Sequence, residues 1–380
     1  MTARALPLIE ISGTPAERGH AYGEAARAEI GRSVAYYRQA FASSSGLSWP
    51  QVLDRAQTWR PIVQQAAPHL LEEMDAIAAG AGISPDEILA LNARGEIVRS
   101  ADSSFVSMPY ADDIEGCSSF ALLASASSDR HVYCGQNWDW REGTQDTTVL
   151  LRVVQPPKPT IIMQVEAGQI GRQGANSAGL ALNANGLDGR FGAEPGVPQP
   201  VLRRLILDST TMRDALQVPY AVHQHIAANI LITHRDGYAI DLETTPLGHK
   251  WGYPDDGLLV HGNHYQYGIP AAVSPGYTPS SVDSLYRIQV LERGLRRARD
   301  ASGPEGVRKM ITETLSDHFS FPLSVCCHPD PADESVRRYK TTMSGVVDLT
   351  SGEYRVAGGN PCETPFELLP WNLYDGPGQS

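Results

Sequence analysis

Asp113-Ile114-Glu115-Gly116-Cys117-Ser118-Ser119-Phe120, followed by Gly135-Gln136-Asn137-Trp138-Asp139, is where the chain changes texture. Before Cys117, apolar residues recur at helical spacing. After it they alternate, or run together with β-branched residues, as strands do. The change falls on a Gly–Cys bond. A thiol reacts as its thiolate, and a free cysteine is mostly protonated at neutral pH, so it needs a base within reach. A cysteine at a chain N-terminus carries its own, an α-amine with a pKa of about 7.7–8.0. On this reading Cys117 attacks the Gly116 carbonyl, cuts the chain there, and serves as the new N-terminal nucleophile. Gly116 has no Cβ and leaves the backbone free to present its carbonyl to the sulfur. Taken alone, Gly-Cys also describes a buried cysteine after a turn glycine.

Upstream, residues 6–11 read as a short strand. Thr14-Pro15-Ala16-Glu17 opens a helix with an N-cap, a proline at the first position and a capping-box glutamate. Its expected apolar stripe is Ala21, Ala25, Ala26, Ile30 and Val34. Further helices are expected over 49–66, 68–80 and 84–99, and an irregular exposed linker over 101–115. Downstream, strands are expected over 117–125, 131–135, 147–154, 160–165 and 180–185. Residues 228–233 and 238–243 flank the hairpin turn His234-Arg235-Asp236-Gly237. Helices at 199–208, 212–217, 282–299 and 305–315 interrupt the strands. Strands return at 258–263, 323–327, 341–349 and 353–356. This pattern is a layered α+β fold with helices packed on antiparallel sheets. It divides into a helical part, 1–116, and a strand-rich part, 117–380.

The 380 residues carry 31 basic and 43 acidic side chains, a net charge of −12. That balance argues against nucleic acid or an anionic membrane as partner. No apolar h-region opens the chain and no run approaches a membrane span. The cysteines at 117, 134, 326, 327 and 362 are few and odd in number, the pattern of a reduced compartment. A cytoplasmic location is the expectation.

Acyl transfer needs a nucleophile, donors for an oxyanion, and charges that orient the substrate. Cys117, Asp139, Asn263 and Arg338 are the first candidate set. Asp139 lies where a strand would pair near that of Cys117. Asn263, in His261-Gly262-Asn263-His264, offers an amide to an oxyanion. Arg338 offers a bidentate clamp for a carboxylate or for Asp139. Each has an ordinary explanation too: a turn carboxylate, a turn asparagine, an edge-strand charge. His223-Gln224-His225, His261 with His264, and Cys326-Cys327-His328 lack a full ligand set at zinc-finger or HExxH spacing, so no metal is expected. No cofactor is expected either.

These residues resemble the acyl-coenzyme A:6-aminopenicillanic-acid acyltransferase family of cysteine N-terminal-nucleophile hydrolases. Matching pieces include Gly13-Thr14-Pro15, Leu91-Asn92-Ala93-Arg94, Gly116-Cys117-Ser118-Ser119 and Gly135-Gln136-Asn137-Trp138-Asp139. Glu166-Ala167-Gly168, Asn176-Ser177-Ala178-Gly179, His261-Gly262-Asn263-His264 and Phe321-Pro322-Leu323-Ser324-Val325-Cys326 follow in family order. The resemblance implies a four-layer αββα sandwich, preceded by a helical N-terminal segment and matured by a cut between Gly116 and Cys117. It implies a small subunit, 1–116, staying bound to a large one, 117–380, and leaves a homo-oligomer open. It implies Cys117, Asp139 and Asn263 as catalytic residues and Arg338 and Ser324 on the substrate side. The loop 327–334 departs from the penicillin enzyme and puts the substrate in doubt.

The expected activity is cleavage of a small N-acyl amide or peptide through a Cys117 thioester. Hydrolysis is favoured because transfer to an amine requires a site that excludes water, and nothing in the sequence reveals one. The alternatives are acyl transfer from a thioester such as an acyl-CoA to an amine such as a β-lactam nucleus, and a non-catalytic binding member of the fold.

Overall fold

The computed structural model describes residues 6–100, 116–189, 191–192, 194–279, 281–334 and 338–376. Strand β1 (Leu8–Ser12) opens the described chain. Helices α1 (Pro15–Ala25), α2 (Arg27–Ser44), α3 (Trp49–Ala56), α4 (Trp59–Ala66), α5 (Pro68–Ala81), α6 (Pro85–Asn92) and α7 (Arg94–Ser100) follow. The expected capping box is present. Thr14 N–H donates to Glu17 Oε2 at 2.8 Å, and Glu17 N–H donates to Thr14 Oγ1 at 3.3 Å.

Of the expected stripe, Ala26, Ile30 and Val34 are buried in the core, but the helix breaks at Ala26 and the α1 part of the stripe is not the face that packs. Ala21 and Ala25 are exposed, whereas Arg18, Gly19, Tyr22 and Gly23 are buried. A Cβ on Gly19 would lie 2.2 Å from the Glu73 carbonyl oxygen, and one on Gly80 would lie 2.2 Å from that of His20. The two helices are close enough that only glycine fits at the crossing. Arg18 pairs with the buried Glu73 at 2.7 Å beside it. The helices expected over 49–66 and 84–99 are each broken in two. Residues 57–58 separate α3 from α4, and Ala93 separates α6 from α7. The expected linker 101–115 lies outside the described residues.

From Gly116 the chain forms β2 (Gly116–Leu122), β3 (Tyr133–Arg141), β4 (Thr148–Val154), β5 (Ile161–Glu166), β6 (Gln173–Asn176) and β7 (Leu180–Gly186). Helices α8 (Gln199–Leu207) and α9 (Met212–Ala221) precede β8 (Ala228–His234), β9 (Tyr238–Thr245), β10 (Gly248–Gly252) and β11 (Leu258–His261). Then come α10 (Ser284–Leu295), α11 (Gly303–Leu315), β12 (Tyr339–Asp348), β13 (Glu353–Ala357) and β14 (Glu367–Leu368). Residues 323–327, expected as a strand, are irregular. Other segments claim their backbone groups: Cys326 N–H donates to Asp317 O, and the Val325 carbonyl accepts from Asn137 Nδ2.

Among the described residues the strands form two sheets. One runs β1-β4-β5-β6-β7-β8-β9-β10, the other β11-β2-β3-β12-β13-β14. The layers follow from the alternation of side chains along each strand. In β4, Val149, Leu151 and Val153 face the core shared with α1–α9, while Leu150 faces the second sheet. In the second sheet Cys117, Cys134, Trp138 and Met343 face inward. Phe120, Leu122 and Val346 face outward onto Val290, Leu291 and Leu295 of α10 and Val307 and Ile311 of α11. The order is helices, sheet, sheet, helices, the expected four-layer αββα sandwich. Strand β1 pairs in parallel with β4, so the part before Cys117 supplies both a strand and most of one helical layer.

Candidate active site

Strands β2 and β3 are antiparallel neighbours, with Gly116 opposite Asp139 and Cys117 opposite Trp138. Cys117 is fully buried at the start of its strand. Its backbone N–H donates to Asn263 Oδ1 at 2.9 Å. Asn263 is held from three sides. Its N–H donates to Ser284 Oγ at 2.7 Å, its Nδ2 donates to the Gly186 carbonyl at 3.2 Å, and Asn185 Nδ2 grips the preceding carbonyls of His261 and Gly262 at 2.7 and 2.8 Å. Behind this loop, His261 Nε2 lies 3.2 Å from Glu243 and 3.6 Å from Asp241. A buried polar network of this kind fixes one backbone path where an apolar core would allow several.

The arginine beside Cys117 is Arg287 of α10, which sequence reasoning missed. Its Nη1 donates to the Cys117 carbonyl at 2.7 Å and to Ser118 Oγ at 2.8 Å, and its Nη2 donates to Asn263 Oδ1 at 2.9 Å. Its Nε pairs with Asp283 at 2.6 Å. Burial opposes the charge, but Asp283 and Asp139 outweigh it and hold the guanidinium more firmly protonated than usual. The signal was present as Asp283-x-x-x-Arg287, a spacing that also describes an ordinary surface pair on a helix. Arg338 is half-buried ahead of β12, and its carbonyl accepts from Glu142 N–H at 2.8 Å. Among the described residues its guanidinium donates to the Asp333 carbonyl at 3.2 Å.

Asp139 is 2% exposed, and its carboxyl lies against Gly116. A Cβ on Gly116 would sit 3.0 Å from the Asp139 Cβ, which explains the glycine better than backbone freedom does. Asp139 Oδ1 accepts from Thr341 Oγ1 at 2.6 Å, and Thr341 Oγ1 accepts from Cys327 N–H at 2.9 Å. Burial pushes the Asp139 carboxyl up to about 7; the Arg287 charge and the Thr341 hydroxyl pull the other way. An acid whose pKa sits near neutrality can both take and give a proton at working pH. Ser324 is buried and donates to the Cys326 carbonyl at 2.6 Å, so it braces the turn at residues 324–326. His264 is pushed down to about 4 by burial, His261 and Arg287, which makes it a poor base for a cysteine.

A cleft is lined by Tyr36, Tyr37, Phe41, Arg94, Trp140 and Arg141 among others. Trp140 is two residues beyond Trp138, about 7 Å along the strand from the position opposite Cys117. The Arg94 guanidinium stacks over Trp140 at 4.6 Å and over Tyr37 at 5.2 Å, and pairs with Glu166 at 3.0 Å. The walls come from α2 and α7 on one side and β3 on the other. Among the described residues, no helix is long and apolar enough to cross a membrane.

The chain is 27% identical, over 365 residues, to the 40 kDa form of acyl-coenzyme A:6-aminopenicillanic-acid-acyltransferase from Emericella nidulans, covering 93% of this chain and 92% of that one. Among solved structures it is similar to a mutant of conjugated bile acid hydrolase from Clostridium perfringens, at 9% identity and a TM-score of 0.40, over 68% of this chain and 97% of that one. It is also similar to penicillin V acylase from Agrobacterium tumefaciens, at 16% identity and a TM-score of 0.35, over 64% and 83%. The family model of acyl-coenzyme A:6-aminopenicillanic acid acyl-transferase matches residues 125–361, more than half of the sequence, and the chain belongs to that family.

Proposed function

We propose that this chain is a self-processing cysteine N-terminal-nucleophile enzyme that cleaves the amide bond of a small N-acyl compound through a Cys117 thioester. The observation that carries this is the setting of the Cys117 nitrogen. It lies 2.9 Å from Asn263 Oδ1, one residue from the buried Asp139 carboxyl, with Arg287 on the Cys117 carbonyl. In the intact chain that nitrogen is an amide. The Cys117 sulfur adds to the Gly116 carbonyl, the C–N bond breaks, and the acyl group passes to sulfur. Water then hydrolyses the thioester and leaves a free α-amine. Asp139, against Gly116 and poised near neutral pH, moves the proton in this step.

In the mature enzyme the α-amine takes the thiol proton, and the thiolate adds to the substrate carbonyl. The Asn263 side-chain amide faces the oxyanion while its Oδ1 holds the amine. The amine then protonates the leaving group, and water releases the acid. The pairing of β1 with β4, and the core shared by residues 6–100 with the first sheet, support two fragments, 1–116 and 117–380, that stay together after the cut. The aromatic lining of the cleft suits an apolar or aromatic acyl group, with Ser324 and Arg338 acting indirectly through the loop between α11 and β12.

A second reading is acyl transfer, favoured by the acyltransferase name of the Emericella relative. In it, an amine replaces water at the thioester. Incubating one N-phenylacetyl amide, and separately one phenylacetyl thioester, with and without added amine separates the two. Free acid at an unchanged rate supports hydrolysis. Amine-dependent amide with negligible acid overturns it in favour of transfer.

A further inference from the structure

On the far side of the loop between α11 and β12, four side chains converge that the proposed chemistry does not use. His318 follows α11, Cys326 and His328 lie in the loop, and Cys362 follows β13. Their ligand atoms all lie within 4.8 Å of one another. The Nε2 atoms of His318 and His328 are 3.1 Å apart, and the sulfurs of Cys326 and Cys362 are 3.5 Å apart. His328 Nε2 lies 3.6 Å from Cys326 Sγ and 3.3 Å from Cys362 Sγ. A tetrahedron with Zn–S of about 2.3 Å and Zn–N of about 2.0–2.1 Å has edges of about 3.8 Å between sulfurs, about 3.6 Å between sulfur and nitrogen, and about 3.3 Å between nitrogens. The four distances given above fall within about 0.3 Å of those edges.

We infer that Cys326, Cys362, His318 and His328 form a Cys₂His₂ site for one divalent zinc ion. The surroundings are those of a ligand set. Asn360 Nδ2 donates to Cys326 Sγ at 3.5 Å and to the Cys327 carbonyl at 2.7 Å. Glu363 Oε1 lies 4.0 Å from His328 Nδ1, the nitrogen that faces away from the cluster. Hydrogen bonds to a ligating sulfur and a carboxylate near the far nitrogen of a ligating histidine orient metal ligands. Two thiolates with two imidazoles in a tetrahedron select zinc over harder cations. Four protein ligands leave no open position, so the ion is structural.

Its consequence reaches the catalytic cluster. Cys327, between two of the ligands, donates its N–H to Thr341 Oγ1, which in turn donates to Asp139. A metal there ties this loop to the segment after β13 and holds that relay in place. This reverses the expectation of no metal: Cys326-Cys327-His328 lacked a full ligand set in the sequence because the remaining ligands, His318 ten residues before His328 and Cys362 34 residues after it, stand at no zinc-finger spacing.

The test uses the full chain purified under reducing conditions. Metal content is measured by plasma mass spectrometry, and Co²⁺ is titrated into chelator-stripped, reduced protein. The expected result is about one zinc per chain, with Co²⁺ giving visible tetrahedral bands and a thiolate charge-transfer band that saturate at one equivalent. Cys362→Ser and His318→Asn alter exposed ligands, so both variants are expected to keep the wild-type circular dichroism and to lose most of the zinc and, for Cys362→Ser, about half of the charge-transfer intensity. Reduced wild-type protein that takes up neither zinc nor Co²⁺ overturns the assignment, whether or not a Cys326–Cys362 disulfide was present on isolation. So does metal retained in full by both variants. The wild-type titration decides the matter even if a variant fails to fold.

Discussion

Asp139→Asn, made in a Cys117→Ala background so that every chain is uncut, tests the electrostatics of the site through stability. The carboxyl titrates at about 7 in the folded chain against an ordinary 3.8. Between these values the unfolded chain has released the proton and the folded chain has kept it. Stability therefore falls as pH rises through this window and levels off above about 7. At about 1.4 kcal/mol per pH unit the full effect is about 4 kcal/mol, of which about 3 kcal/mol falls between pH 5 and 8. Asparagine keeps the shape and the acceptor for Thr341 but does not titrate. Relative to aspartate it should gain about 3 kcal/mol in stability on going from pH 5 to pH 8. Urea unfolding of the two proteins at both pH values measures the difference, and all other titrating groups cancel. A pH-independent difference would mean that Asp139 is already ionised at pH 5, with Arg287 compensating it fully, and would refute the proton-transfer role. In the Cys117 background the same change should slow self-cutting about 100-fold or more, read as the rate at which the two fragments appear on a denaturing gel.

Arg287→Lys keeps the charge but loses the fork that serves Cys117 O, Ser118, Asn263 and Asp283. It should cost about 3 kcal/mol of stability and slow the cut more than Arg338→Lys does; equal effects from the two would remove Arg287 from the site. Gly80→Ala places a methyl 2.2 Å from the His20 carbonyl oxygen and should destabilise the uncut chain by about 1–3 kcal/mol, whereas Gly82→Ala, with open space around it but a left-handed backbone, should cost about 1 kcal/mol through backbone strain alone. Thermal melts of the two distinguish packing from strain.

Much of this fold was legible because local signals and tertiary structure agree. The capping box at Thr14, the hairpin at Arg235-Asp236-Gly237 and the switch from helical to strand periodicity at Cys117 are short-range features. What stayed hidden depends on distant partners. The packing face of α1 is glycine and arginine rather than alanine, because α5 lies within backbone contact of it. Residues 323–327 are apolar enough for a strand, yet Asn137 and Asp317 claim their backbone groups. That Cys117, Asp139 and Asn263 come together was legible because strand pairing and a short motif announce them. Arg287 and Thr341 were not, since each reaches the site only through the register of β12 or the orientation of α10 on the second sheet.

Intact-mass analysis of the purified wild-type chain and of Cys117→Ala, each before and after exposure to an activated phenylacetyl ester, tests the central claim most directly. The account predicts two wild-type fragments divided between Gly116 and Cys117, a single acyl adduct on the larger one, and one unmodified, full-length Cys117→Ala chain. An active wild-type protein that remains a single chain, with residue 117 still in an amide bond, would contradict it.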